Sequence, residues 1–375
     1  MPSPEQPLRI AQVAPPLEAV PPPGYGGTER VIDELVRELD RRGHAVTVFA
    51  SADSATGGRL VPTVDRALRP AGRVGEDGPY VLATIDAVVR RAADFDVIHA
   101  HLDFGGVVLA RVSPTPVVAT FHGRLDRPWA GQLLADPPAF LCALSAAQAS
   151  AHPGAPWTIV PDGLSLAAAP FGERPGDALC FVGRMSPEKG AVDAVTVARR
   201  SGRRLRVAAK EPSIPLERDY FENVFRPAAR TAEVEFLGEL GREDRDRLFA
   251  ESYASLMPGD WPEPFGLVAI ESLATGTPVV ARRVGGIPEI VRDGVAGVVD
   301  DSIAALAQRL DEVGRLDRAA IRTSVLERFS AARMTDAYEA VYRRAIAARD
   351  SDDAVTATGR APVGLVIEPG VRPGS

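Results

Sequence analysis

The stretch Phe181-Val182-Gly183-Arg184-Met185-Ser186-Pro187-Glu188-Lys189-Gly190 joins an apolar run, Leu179–Val182, to a helical pattern over 190–201 through a short polar turn. A strand that is apolar throughout, followed by a turn and a helix, belongs to a parallel sheet covered on both faces. The same unit recurs on either side. Downstream, strands are predicted at Leu205–Ala209, Val234–Leu237, 253–257 and Pro278–Ala281, with helices over 242–251, 265–275 and 302–313. Upstream, strands are predicted at Leu8–Ala14, Ala45–Ala50, Val97–Ala100, Val117–Thr120, Phe140–Ala143 and Thr158–Val160. A helix after the first of these carries Val31, Ile32, Leu35, Val36 and Leu39 on one stripe and stops at Gly43; further helical stretches lie near 80–93 and 145–150. The expected fold class is α/β, with two doubly wound Rossmann-like domains facing each other across a cleft.

The domain boundaries follow from where the pattern lapses. Residues 1–7 are a flexible N-terminus, 8–165 the first domain and 178–330 the second. The connection, 166–177, lies in the aperiodic segment Gly163–Asp177. Helix 331–348 ends the ordered chain, and the tail 350–375, poor in large apolar groups, is expected to be disordered.

Composition excludes several function classes. The chain has 375 residues, 45% hydrophobic and 25% charged, as in soluble globular proteins rather than disordered ones. A net charge of -7 argues against nucleic acid or an anionic membrane as the main partner. Cys142 and Cys180 are too few for a disulfide framework and lack zinc spacing, so a reducing, cytoplasmic setting is expected. Met1–Leu8 is polar and proline-rich, unlike a secretory signal, and no run of eighteen apolar residues occurs. Of 43 basic residues only Lys189 and Lys210 are lysines, so two compact point charges stand out among planar forks.

Three motifs could carry chemistry. In the first, Gly24-Tyr25-Gly26-Gly27-Thr28-Glu29 opens the first helix, where backbone N–H groups could hold an anion; the bland alternative is a surface loop. The second is the opening stretch itself. It puts Arg184 and Lys189 at a strand's carboxyl end and a helix N-terminus, where the dipole disfavours cations; a bound phosphate would reconcile them. In the third, Glu263-Pro264-Phe265-Gly266-Leu267-Val268-Ala269-Ile270-Glu271, Glu271 is the only charge between Pro264 and Thr275. A carboxylate on so apolar a helix either lines a cleft, where it suits vicinal sugar hydroxyls, or pairs with an arginine. His122, after a strand in Thr120-Phe121-His122-Gly123, is a weaker signal by itself. With His99 and His101 it raises a zinc question, which no closed ligand pattern answers. Asp94-Phe95-Asp96 reads as a turn before a strand, and Asp244-Arg245-Asp246 as the exposed opening of a helix.

Together, GGTE, TFHG near 120–123, GRMSPEKG, EPFGLVAIE and GGIPEIVRDGVAG resemble the retaining glycosyltransferases of family four, which have the GT-B fold; the likeness spans about residues 8 to 348. It implies an acceptor-side first domain, a donor-side second domain, and helix 331–348 crossing back to the first. It further implies that Arg184 and Lys189 grip a donor pyrophosphate, with Gly26 and Gly27 closing on it. Glu271 would hold the nucleotide ribose. Glu263 and the amides of Phe265, Gly266 and Leu267 would hold the transferred sugar, and His122 would lie by its reactive face. Lys210, in Ala208-Ala209-Lys210-Glu211-Pro212 where many members have a glycine-rich turn, is expected to reach the donor. Asp162-Gly163 stands where many members have Asn-Gly.

The expected activity is therefore hexosyl transfer from a nucleoside-diphosphate sugar, expected to be UDP-linked, to an acceptor hydroxyl. No metal or other cofactor is required, because fixed cations can stabilise the leaving diphosphate. The loops 53–79 and 123–138 would shape the acceptor site, with membrane contact only for a lipid-linked acceptor. Alternatives are a phosphorylase or epimerase of similar fold, or a non-catalytic nucleotide-sugar binder.

Overall fold

The computed structural model describes residues 6–24, 26–73, 75–210, 212 and 215–357, with side chains to Ser351. The first half alternates β1 (Arg9–Val13), α1 (Gly27–Arg41), β2 (Ala45–Ser51), β3 (Arg59–Val64), α2 (Asp77–Val89), β4 (Val97–Ala100), α3 (Phe104–Val112), β5 (Val117–Phe121), α4 (Ala130–Leu134), β6 (Phe140–Ala143), α5 (Ala146–Ala149) and β7 (Thr158–Ile159). All seven strands are parallel in the order β3-β2-β1-β4-β5-β6-β7.

The second half restarts with β8 (Leu179–Arg184) and α6 (Ala191–Ser201), then β9 (Leu205–Lys210), α7 (Pro215–Tyr220), α8 (Arg226–Ala229) and β10 (Val234–Gly238). It continues through α9 (Arg242–Ala250), β11 (Ala254–Met257), α10 (Leu267–Ala274), β12 (Val279–Arg282), α11 (Ile287–Ile290), β13 (Gly297–Asp300), α12 (Ile303–Arg309) and α13 (Arg318–Arg328). Its parallel sheet runs β10-β9-β8-β11-β12-β13. Each order reverses once, between β1 and β4 and between β8 and β11, and crevices at such reversals are where open α/β sheets bind ligands. The fold is thus the expected pair of doubly wound domains.

The chain crosses between the halves twice at one place. Leu164 donates to Phe329 O at 3.0 Å and accepts from Ala331 N at 3.2 Å. The approach is so close that a Cβ on Gly163 would lie 2.3 Å from Ser330 O, so only glycine fits. From there α14 (Ala331–Ala357) returns to the first half and packs on α1, β4 and β5. Met334, Tyr338, Val341, Tyr342, Ala345 and Ile346 form its buried stripe at helical spacing, in one continuous core with residues of both halves. Arg42 and His44 of the first half clasp Glu339 on the same helix, His44 Nε2 at 2.6 Å.

Three expectations change. The segments read as loops are not all loop: 123–138 contains α4, and 53–79 contains the start of α2 and edge strand β3. Its sequence, RLVPTV, lacks the continuous apolar run of a doubly covered strand because an edge strand is only half covered. The tail expected to be disordered from Asp350 continues α14 to Ala357, because elongating an existing helix needs no core of its own; residues 358–375 lie outside the described residues. Asp244-Arg245-Asp246 is not an exposed opening: Asp244 is, but the Arg245 and Asp246 side chains are only 15% and 14% exposed.

Candidate functional site

The carboxyl edges of the two sheets face each other across a cavity of about 300 Å³. The residues expected to hold the donor reach its wall: Gly26, Gly27 and His122 from the first half, Arg184, Lys189 and Lys210 from the β8 and β9 ends, and Glu263, Phe265, Gly266, Leu267 and Glu271 from the α10 entrance; His99 and His101 do not line it.

The cations come first. Arg184 and Lys210 are register partners at the ends of β8 and β9, so two positive side chains leave the sheet edge side by side. Arg184 Nη2 donates to Glu188 Oε1 at 3.1 Å, and its Nη1 lies 3.6 Å from Glu217. Lys189 closes the 3₁₀ turn Pro187–Lys189 and bonds Glu263 Oε1. The charges that the sequence left without explanation at this turn thus have carboxylate partners in the fold, which orient them along the cleft wall. Gly190, at φ 76°, ends that turn and packs on the Gly259 backbone, where a Cβ would come within 2.7 Å. This holds the cationic turn against the loop after β11, the other side of the strand reversal.

The N-terminus of α10 is the second element. Gly266 caps it at φ 129°, a conformation L-residues rarely adopt, and a Cβ there would meet Ile287 Cδ1 at 2.6 Å. Glu263 accepts at its carbonyl from Gly286 N at 2.8 Å, which ties the loop before α10 to the one before α11. One turn in, Glu271 is buried, and its Oε1 accepts from Arg30 Nη2 at 2.6 Å and from Arg245 Nη2 at 2.8 Å. The arginine pairing that the sequence left open is therefore present, and on both sides. Arg30 comes from α1 in the other half, so this bridge spans the cleft. Nothing in the sequence marked Arg30; Arg245 was masked by the two acids flanking it.

Glu289 escaped the sequence reading, and Asp162 was marked there only as a departure from Asn-Gly. Glu289 of the GGIPEIV segment accepts from Ala146 N at 3.0 Å and Ala147 N at 2.8 Å, so one half caps α5 of the other. Ser145 Oγ reinforces the contact by donating to Pro264 O at 2.6 Å. Asp162 lines the cavity fully buried, and its Oδ1 has no hydrogen-bond partner among the described residues. Burial pushes its carboxyl up to about 7.

His122 lies opposite the cations. Its amide donates to Asp103 Oδ1 at 2.8 Å, and burial lowers its imidazole to about 4, so it is neutral at physiological pH. His99, His101 and His122 do not converge on a point that a metal could occupy. Five of their six ring nitrogens, all but His122 Nδ1, bond to one another or to Gln12, Thr120 and Tyr342, and no group of three metal-ligating side chains gathers among the described residues. Nor is any helix among them long and apolar enough to cross a membrane.

A cavity with three cations at one end, a cation-held carboxylate at a helix entrance and a clamped carboxylate beyond it suits a ligand with a diphosphate between two hydroxyl-rich groups. Comparison with known proteins gives the same direction. Residues 173–322 match the profile of glycosyl transferases group 1, and residues 25–161 that of Glycosyltransferase Family 4. A D-inositol 3-phosphate glycosyltransferase of Mycobacterium leprae is 36% identical over 192 residues, 46% of this chain and 42% of that protein, so the match spans less than half of the relative's length. Among solved structures, a glycosyltransferase involved in avilamycin A biosynthesis superposes with TM-score 0.70 at 27% identity, covering 91% of this chain and 99% of that one. An Anabaena protein, HepE, solved in complex with UDP and glucose, superposes with TM-score 0.68 at 19% identity over 94% of this chain and all of that one, a likeness of fold.

Proposed function

The chain belongs to the group 1 glycosyltransferases, and we propose that it moves a hexose from a nucleoside-diphosphate sugar to an acceptor hydroxyl with retention at the anomeric carbon. The observation that carries this reading is the placing of Arg184 and Lys210 in register at one sheet edge, with Lys189 on the next turn, around a single cavity. Transfer breaks the bond between the anomeric carbon and the diphosphate oxygen, and the electron pair leaves with the diphosphate. Fixed cations stabilise that developing charge more than they stabilise the bound donor, so they lower the barrier rather than only tightening binding. The acceptor oxygen forms the new bond on the same face, and its proton passes to the departing phosphate.

The surrounding groups fit this course. Glu263 is held by Lys189 and Glu271 by Arg30 and Arg245, which fixes both carboxylates in place to receive hydroxyl hydrogen bonds. Glu271 would take the ribose and Glu263 the transferred sugar, with the amides of Phe265, Gly266 and Leu267 facing the phosphate beside it. Gly26 and Gly27 would close from the opposite side, where Gly27 already packs against Leu267: a Cβ there would lie 3.1 Å from its Cδ1. Because three side chains supply positive charge, the proposed reaction needs no divalent ion. A uridine donor is supported by the Anabaena neighbour, solved with UDP and glucose.

The test is release of nucleoside diphosphate from a panel of donors. His122→Ala and Glu263→Ala should each lose about a hundredfold or more in turnover while keeping the native circular dichroism and melting profile. A near-native rate in either, or release that depends on inorganic phosphate and ignores nucleotide donors, rejects the reading.

A further inference from the structure

Gln12 interrupts the apolar run of β1 and is completely buried, which costs free energy unless both ends of its amide are satisfied. They are. Its Nε2 donates to Tyr342 Oη at 3.0 Å, and its Oε1 lies 2.9 Å from His101 Nε2. His101 Nδ1 in turn lies 2.9 Å from His122 Nε2. On the other side Tyr342 Oη meets His99 Nδ1 at 2.7 Å, and His99 Nε2 meets Thr120 Oγ1 at 2.7 Å. The chain of contacts runs from the cleft wall, across the strand reversal between β1 and β4, to the returning helix α14.

Its direction follows from what each atom can do. The amide oxygen of Gln12 only accepts, so His101 carries its proton on Nε2. Desolvation drives His101 well below the usual imidazole range, so it is neutral and its Nδ1 is a bare lone pair. That lone pair can only accept, and the donor is His122 Nε2–H. His122 is neutral as well, which leaves its Nδ1 unprotonated. On the far side, Tyr342 Oη accepts from Gln12 and donates to His99 Nδ1, so His99 gives its Nε2–H to Thr120. Every bond is used once, and reversing one amide would reverse them all.

We propose that Gln12, His101 and Tyr342 are positioning residues that hold His122 in its Nε2–H form, so that Nδ1, the nitrogen left for the cleft, accepts a hydrogen bond from a hydroxyl of the transferred sugar. This rests on the reading of His122 as a sugar contact. It assigns a role to Gln12 and to the tyrosine of α14 at the donor site, although neither lines the cavity.

The chain has only five histidines, so ¹⁵N-histidine labelling of the full-length protein, with His122→Ala to identify the signals, reads the form of His122 directly. The wild type should show protonated Nε2 and unprotonated Nδ1 on His122, and the same protonation on His101. Gln12→Leu, which removes the acceptor that fixes His101, should turn His122 into a mixture of both forms. It should also lower the turnover number for nucleoside-diphosphate release about tenfold or more, with the donor KM changed less than threefold. Gln12→Glu, which still accepts from His101, should restore the His122 signals and most of the lost turnover; a purely structural role for Gln12 would not give that split or that rescue. A wild-type His122 protonated on Nδ1, or Gln12→Leu with wild-type His122 signals, overturns the proposal and needs no assay. Native turnover in His122→Ala overturns it differently, by removing the sugar from His122 while the spectra stand.

Discussion

At the scale of single residues, burial decides which groups are charged. His122 is pushed down to about 4, so the turnover profile should show no limb near pH 6.5 from this residue, and a pH–rate series in His122→Gln should have the same shape as the wild type between pH 6 and 8. Asp162 moves the other way. Its folded value of about 7 lies above the usual carboxylate range, so the folded chain keeps a proton that the unfolded chain gives up. The stability this group supports is whole below about pH 4 and declines as pH rises towards 7, at most about 1.4 kcal/mol per pH unit. Asp162→Asn should therefore melt higher than the wild type at pH 8, with the gap closing by pH 4; equal melting curves at both pH values would contradict the buried, unpartnered carboxyl. Lys210 makes a third case. Its place beside Arg184 predicts that Lys210→Ala raises the donor KM about tenfold, and unchanged donor affinity and turnover would exclude it from the site.

At the scale of elements, helix entrances and strand ends position the chemistry. Gly266→Ala puts a Cβ 2.6 Å from Ile287 Cδ1 at a φ of 129°, so it should shift the α10 entrance and lose donor binding more than the neighbouring exchange Val268→Ala, as donor titration would measure. Elements of this kind were legible where a strand is covered on both faces, as at Val97–Ala100 or Val117–Phe121, because the apolar run is then uninterrupted. They were not legible where cover is partial or the helix is glycine-rich. Strand β3 has Arg59 and Pro62, and α3 carries Gly105 and Gly106, the second so close to β4 and β5 that a Cβ would meet Ala119 Cβ at 2.9 Å. The motifs that gather at the cleft were readable because each bundles unusual residues within ten positions. Arg30, Arg245, Glu289 and Gln12 were not, since each acts on a partner more than twenty residues away and looks ordinary in its own segment.

At the scale of the molecule, the two halves meet through polar contacts on the cleft side and through α14 behind. The bridge from Arg30 to Glu271 and the cap from Glu289 to α5 both span the gap. Arg30→Ala should loosen this closure, and small-angle scattering should show a larger radius of gyration for the variant; an identical profile would deny the bridge a part in holding the halves together. Donor binding to the wild type should close the two halves further, and identical scattering profiles with and without donor would contradict that. The returning helix carries a different implication. Tyr338 and Tyr342 are wholly buried and bond Thr120 and His99 of the first half, although they follow the second in sequence. A fragment cut at the junction, residues 6–165, would expose a long greasy trough and should precipitate on expression. Supplying α14 as a separate peptide, or splicing it ahead of residue 6 in a permuted gene, should rescue it into solution. A polypeptide emerging from the ribosome thus completes the core of its first half only after α14 has been made.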